Sequence, residues 1–199
     1  MAKSDGAKMT RQLQIYDRIA SIPNGAVYSP IELMEIFGIT RRMLQRDLKD
    51  IRDCGLINVK YDKSQNRYIL DGGAVFDDSA SPRRRQHLLR LYRIGTLIKT
   101  LPQIDIEALQ SYEGRLEEFN EFLEETKGDP DTTPESIEAV RSFMIPDEVD
   151  LPDIKEVYYT LFPDSNERTR QRDFEEMNRA GFRIYYSRKH KTFIYEYSG

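Results

Sequence analysis

The sequence predicts a mainly α protein with small β-hairpin wings, built as two winged helix-turn-helix modules joined by a helical connector. The first sign is an internal repeat: Gln45-Arg46-Asp47-Leu48 aligns with Gln171-Arg172-Asp173-Phe174, 126 positions on, and brings Gly55 onto Gly181 and Leu56 onto Phe182 without a gap. Two copies at so long a spacing indicate two similar modules rather than a solenoid. The second sign is capping chemistry that outlines helix, turn and helix before each copy ends. The third is a change to strand-like patterning after each of the two glycines. The expected division is a flexible tail over 1–10, an N-terminal winged helix over 11–74, a linker and helical connector or dimerisation region over 75–130, and a C-terminal winged helix over 131–199.

Residues 11–22 place Leu13, Ile15, Tyr16, Ile19 and Ile22 at three- and four-residue spacings, the pattern of an amphipathic helix. Pro23-Asn24-Gly25 should end it. Ser29-Pro30-Ile31-Glu32 supplies a hydroxyl cap, a proline for the first helical position and a glutamate able to reach back to the cap amide, so a second helix runs to about Phe37. Gly38-Ile39 makes the turn. Thr40 then caps a third helix from Arg41 to about Cys54, and Gly55 provides the left-handed stop. Strands follow over 56–61 and 67–70, around a polar turn through Asp62–Asn66.

Asp71-Gly72-Gly73 and Asp77-Asp78-Ser79-Ala80 read as linker. Ser81-Pro82 opens a long helix with an apolar stripe of Leu88, Leu91, Tyr92, Ile94, Leu97, Ile98 and Leu101, and Pro102 stops it. Another helix from about Asp105 to Lys127 carries Ile106, Leu109, Tyr112, Leu116, Phe119 and Phe122 on one side. Thr133-Pro134 starts a short helix with Ile137, Val140, Phe143 and Met144 on its apolar side, expected to serve as the first helix of the second module. A helix over 152–162, Asn166 in the place of Thr40, a helix ending at Gly181 and an aromatic hairpin over 182–197 complete that module.

Composition gives a soluble protein, with 39% hydrophobic and 32% charged residues. Residues 1–10 are polar, unlike a signal peptide, and no apolar run approaches the ~20 residues of a membrane span, so the expected location is cytoplasmic. Cys54, the one cysteine, is expected to pack rather than react. The formal net charge of -4 hides a strong segregation. Residues 1–74 sum to +3, residues 75–100 to +4, residues 101–163 to -13 and residues 164–199 to +2. Local potential over a Debye length of ~8 Å governs phosphate binding, so basic modules beside an acidic middle remain compatible with a nucleic-acid partner.

On the helix from Arg41, Leu44, Leu48 and Ile51 share one stripe and face the core. The opposite stripe holds Arg42, Gln45, Arg46 and Lys49, with Arg41 beside it. Arginine and glutamine can make bidentate contacts to base edges, and a recognition helix reads bases through its N-terminal residues. The expected DNA-binding set is Thr40, Arg41, Arg42, Gln45, Arg46 and Lys49, with Lys63 and Arg67 of the wing. Arg46, Lys49 and the wing residues are assigned to phosphates. The second module would contribute Arg168, Gln171, Arg172, Arg188 and Lys189.

The phrase from Thr40 through Leu48, with Gly55-Leu56-Ile57 after it, resembles the winged-helix domain that opens bacterial WYL-type transcription regulators and the related deoxyribose-operon-repressor-like family. Arg172-Asp173-Phe174 and Ala180 through Tyr186 look like the same family element. The resemblance covers about residues 11–71 and, more loosely, 151–197. It implies DNA binding and transcriptional control as a homodimer. The chain has no tryptophan and no recognisable WYL sensor domain, so ligand sensing is not carried over and an effector is left open.

The second module departs from the first. Arg170 takes the slot of Leu44 and Glu175 that of Lys49, so the second module binds either DNA or protein. Tyr185, Tyr186, Tyr195 and Tyr197 fit cross-strand packing better than base stacking. No catalytic residue, metal or cofactor is expected: Asp147, Glu148, Asp150 and Asp153 lack EF-hand spacing and suit a helix start, and no P-loop, GxSxG or GxGxxG phrase occurs. The expected function is that of a sequence-specific double-stranded DNA-binding transcription regulator, a homodimeric repressor. The alternative is a non-enzymatic protein-interaction scaffold built from winged helices.

Overall fold

The computed structural model describes residues 3–21, 28–129, 132–145 and 151–196. The expected turn at Pro23-Asn24-Gly25, the acidic residues Asp147, Glu148 and Asp150, and Tyr197 lie outside the described residues. The fold is mainly helical, with two small antiparallel hairpins: α1 (Lys3–Ala20), α2 (Pro30–Phe37), α3 (Arg41–Asp53), β1 (Val59–Asp62), β2 (Arg67–Leu70), α4 (Pro82–Thr100), α5 (Ile106–Glu125), α6 (Pro134–Met144), α7 (Ile154–Leu161), α8 (Glu167–Arg179), β3 (Arg183–Ser187) and β4 (Thr192–Glu196). Among the described residues no helix is long and apolar enough to cross a membrane.

The local chemistry sets most of these boundaries. Ser29 Oγ accepts from the Glu32 amide at 3.1 Å while the Glu32 carboxylate accepts from the Ser29 amide at 2.7 Å, a closed capping box that starts α2. Thr40 Oγ1 accepts from the Met43 amide at 3.3 Å and starts α3. Past the end of α3, Gly55 takes φ +85°, and Gly181 takes φ +97° past α8, so both copies of the repeat end on a left-handed glycine. In the first hairpin Tyr61 pairs with Tyr68, their rings 5.5 Å apart edge to face, and the Tyr68 amide donates to the Tyr28 carbonyl at 2.9 Å.

Two boundaries differ from expectation. Where the sequence pattern predicts a tail through residue 10, α1 already runs from Lys3, and Met9 is buried with Leu13, Ile15 and Tyr16. The expected strand at Leu56-Ile57 starts only at Val59, because its partner strand ends at Leu70 and the chain turns away at Gly72, φ +68°; Leu56 packs against Gly95 of α4.

The chain divides into two compact units that do not follow a succession of module, connector, module. One comprises the chain up to Leu101 together with Lys155–Ile184, and so unites α1–α4 with α8 and nearly all of α7. Its core is formed by Leu13 and Ile15 of α1, Leu44 and Ile51 of α3, Leu88, Leu91, Ile94 and Leu97 of α4, and Tyr158 and Met177 from the later segment. Both α3 and α8 pack on α1 and α4. The other unit comprises Pro102–Ile154 with the paired strands from Tyr185 on. There Ile104, Leu109 and Ile194 make a small core, flanked by Ile106 and Leu151. In this unit α6 packs on α5 and has no buried side chain.

Candidate nucleic-acid interface

The sequence of α3 alternates charge: Arg41, Arg42, Arg46, Lys49 and Arg52 are interspersed with Asp47, Asp50 and Asp53. Folding separates the two signs. All three aspartates are buried, whereas Arg41, Arg42, Gln45, Arg46, Lys49 and Arg52 are exposed.

Asp47 and Asp50 are turned inward onto partners from other helices, and Asp53 bridges α4 to two cations of α3 itself. Asp47 accepts from Arg11 Nε at 2.6 Å and Nη2 at 3.3 Å, and from Gln12 Nε2 at 3.1 Å. Asp50 accepts from the same Gln12 amide at 2.9 Å, from Arg84 at 2.9 Å, and pairs with Lys8 at 2.7 Å. Asp53 accepts from Arg84 at 2.7 Å, from Lys49 at 2.5 Å and from Arg52 at 3.3 and 3.4 Å. Gln12 is itself fully buried, and its Oε1 lies 2.9 Å from Nε2 of His87. Burial alone would raise the Asp50 carboxyl, but the hydrogen bond and charge of Lys8, with Gln12 and Arg84, outweigh it and hold the group below the ordinary aspartate value. A helix tied down this way on its acidic side offers solvent its cationic side at a fixed tilt.

The exposed face meets the hairpin in a shallow groove lined by Arg41, Gln45, Lys49, Lys60, Tyr61 and Tyr68, among others. The Arg41 guanidinium lies 5.9 Å from the Tyr61 ring centroid, a cation–π contact that directs it along the groove. Lys63 and Arg67 are exposed on the hairpin. Thr40, Arg41, Arg42, Gln45, Arg46 and Lys49 therefore occupy one continuous helix start and face, with the two wing residues beside it.

The repeated helix α8 uses its acidic residues in the same inward way. Asp173 accepts from Arg93 at 2.8 and 3.1 Å and from the Tyr158 hydroxyl at 3.0 Å; Glu176 accepts from Arg90 at 3.1 Å. Burial is the main reason the Tyr158 phenol is pushed up to about 12. Arg170, in the slot of Leu44, is buried with its guanidinium 5.0 Å from the Phe174 ring and paired with Glu167. The outward face of α8 differs from that of α3. Arg168, Gln171 and Arg172 are exposed there, but so are Glu167 and Glu175, and the Gln171 amide donates to Glu167 at 3.2 Å. Arg188 and Lys189 belong to the other compact unit, where Lys189 pairs with Glu113 at 2.9 Å.

Sequence patterning missed the buried polar layer: Gln12, Asp47, Asp50, Asp173 and Glu176 look like surface residues. A signal was present, however, because Asp47 and Asp50 recur as Asp173 and Glu176 at the same three-residue spacing in the repeat. No protein-family model, curated protein or solved structure matches the chain.

Proposed function

We propose that this protein binds double-stranded DNA through α3 and its hairpin, as the reading element of a sequence-specific transcription regulator. One observation carries the proposal: all three carboxylates of α3 are buried, Asp47 and Asp50 on partners from other helices and Asp53 shared between Arg84, Lys49 and Arg52, so the outward face of Arg41, Arg42, Gln45, Arg46, Lys49 and Arg52 has no exposed acid. Duplex DNA carries about one negative charge per 1.7 Å, and binding draws on such a face through counterion release. Arg42 and Gln45, near the helix start, are the base-reading residues, since both side chains can bond two atoms of one base edge. Arg46, Lys49, Lys63 and Arg67 hold phosphates. The two-winged-helix organisation and the resemblance of Thr40–Leu48 to WYL-type regulators belong to the same proposal.

In this reading α8 is chiefly a packing helix, because its exposed face mixes Glu167 and Glu175 with its cations. Packed helices lie about 8–10 Å apart, so two helices packed on the same α4 have midpoints on the order of 20 Å apart, short of the ~34 Å between successive major-groove sites on one DNA face. A homodimer, rather than one chain, would then supply two half-sites. Phe143 of α6, 88% exposed, favours a protein contact in the second unit and leaves room for a scaffold role.

Selection of the full chain on a random duplex pool, beside Arg42→Ala/Arg46→Ala, tests the proposal. A two-part motif that the variant loses supports it. No enrichment at low salt removes the regulator and leaves the scaffold.

A further inference from the structure

Opposite the hairpin groove, α3 borders a second, wider cleft formed with α1 and the start of α4. Lys8, Arg46, Lys49, Arg83, Arg84 and Arg90 line it together with Asp50. Lys49 lines both clefts, so the exposed face of α3 runs between two cationic grooves without interruption. A neighbouring cleft among α1, α4 and α8 is also rich in arginine, but there Arg90 is bound to Glu176 and Arg93 to Asp173, with Glu175 on the wall. The cleft beside α3 is different. Lys8, Lys49, Arg84 and Arg90 are held there by Asp50, Asp53 or Glu176, but Arg46 and Arg83 have no carboxylate partner among the described residues, and both are exposed.

Helix stability does not account for Arg83. Arg83, Arg84 and Arg85 fill the first turn of α4, where cations oppose the helix dipole, and no acidic residue accompanies them. Arg84 is occupied by Asp50 and Asp53, and Arg85 by Asp78 at 3.1 Å. Arg83 is left facing the cleft.

A helix about 10–12 Å across fills a major groove about 12 Å wide, so a backbone runs along each of its sides. The hairpin groove accounts for one of these backbones. We propose that the cleft between α1, α3 and α4 seats the other sugar-phosphate backbone, with Arg83 and Arg46 as its phosphate contacts. This rests on the duplex-reading role of α3, and it extends the interface onto a helix outside the winged element.

The test is a salt titration of duplex binding by the full chain, from about 50 to 200 mM, comparing the unaltered protein with Arg83→Ala and with Lys127→Ala as an exposed-lysine control. Circular dichroism checks that each variant is folded. One lost phosphate contact lowers the slope of log K on log salt by about 0.9 and weakens binding about fivefold near 0.15 M, equally for every sequence. Lys127→Ala should change neither. Arg83→Ala with unaltered affinity and slope overturns the backbone seat while leaving duplex reading by α3 intact. The same holds if Arg83→Ala abolishes binding of inorganic triphosphate but leaves duplex binding unchanged, which would mark a small-anion site. Failure of the unaltered protein to bind any duplex overturns both readings.

Discussion

Replacing Asp47 with alanine tests the inward carboxylate layer at its most buried point in α3. The Asp47 side chain is 1% exposed, and Arg11, its main partner, is 21% exposed. Truncation leaves the Arg11 guanidinium without its acceptor and takes one of two acceptors from the buried Gln12 amide, which keeps Asp50. Removing one member of a buried pair costs about 3–5 kcal/mol, and the partial exposure of Arg11 argues for the lower end, about 3 kcal/mol. With a urea dependence of roughly 2 kcal/mol per molar, the midpoint falls by about 1.5 M. Asp47→Asn retains an oxygen acceptor but loses the charge, so its loss should be about half as large. Asp47→Ala/Arg11→Ala should be less destabilised than the sum of the single variants, with a coupling of about 1–3 kcal/mol. The exposed Glu124–Lys127 pair is the comparison, since Glu124→Ala should stay within about 0.5 kcal/mol. The assay is urea unfolding followed by far-ultraviolet circular dichroism, with coincidence of probes as a check on two-state behaviour. If Asp47→Ala and Glu124→Ala lose equally little, the buried pair does not anchor α3 and the fixed presentation of its cationic face has no basis.

Three further outcomes are expected. Gly55→Ala should destabilise by about 1–2 kcal/mol, since φ +85° disfavours any Cβ and the new methyl would stand 3.4 Å from the Phe76 amide nitrogen; equilibrium unfolding measures it. Asp50 and Glu167 both have depressed folded-state values, Glu167 at about 2 chiefly through its hydrogen bond to Arg170, so their stabilisation is full above the unfolded carboxylate values near pH 4 and is lost as pH falls through the folded ones. Urea midpoints should therefore decline between about pH 4 and 2, and Asp50→Asn should flatten the decline. The Cys54 thiol, fully buried and pushed up to about 12 mainly by burial, should resist iodoacetamide at neutral pH in the native protein and react once urea unfolds it; rapid native labelling would contradict this.

Legibility from sequence tracked the range of the interactions involved. Ser29 with Glu32, Thr40, Asn166 and Gly55 act within four residues of their own position, and their helices begin and end close to where those residues predict. Leu44, Leu48 and Ile51 likewise identify the buried stripe of α3. The start of α1 was not legible, because Lys3–Thr10 offers Met9 as its only bulky apolar side chain and is held by tertiary burial of that residue. Nor was the inclusion of α8 with α1–α4. That depends on Arg90 and Arg93 finding Asp173 and Glu176 some 80 positions away, and charge partners at that distance leave no local periodicity. The outward face of α3 was legible as a stripe, but its lack of exposed acids became visible only once Asp47, Asp50 and Asp53 were placed.

Duplex reading by α3 is tested by the binding of the unaltered chain against Arg42→Ala/Arg46→Ala, measured by fluorescence anisotropy across a salt series. With the four phosphate contacts assigned to Arg46, Lys49, Lys63 and Arg67, affinity should fall about 150-fold between about 50 and 200 mM salt, and the variant should bind more weakly with a shallower slope. Equal binding by the two proteins, or no duplex binding at the lowest salt, would contradict the account.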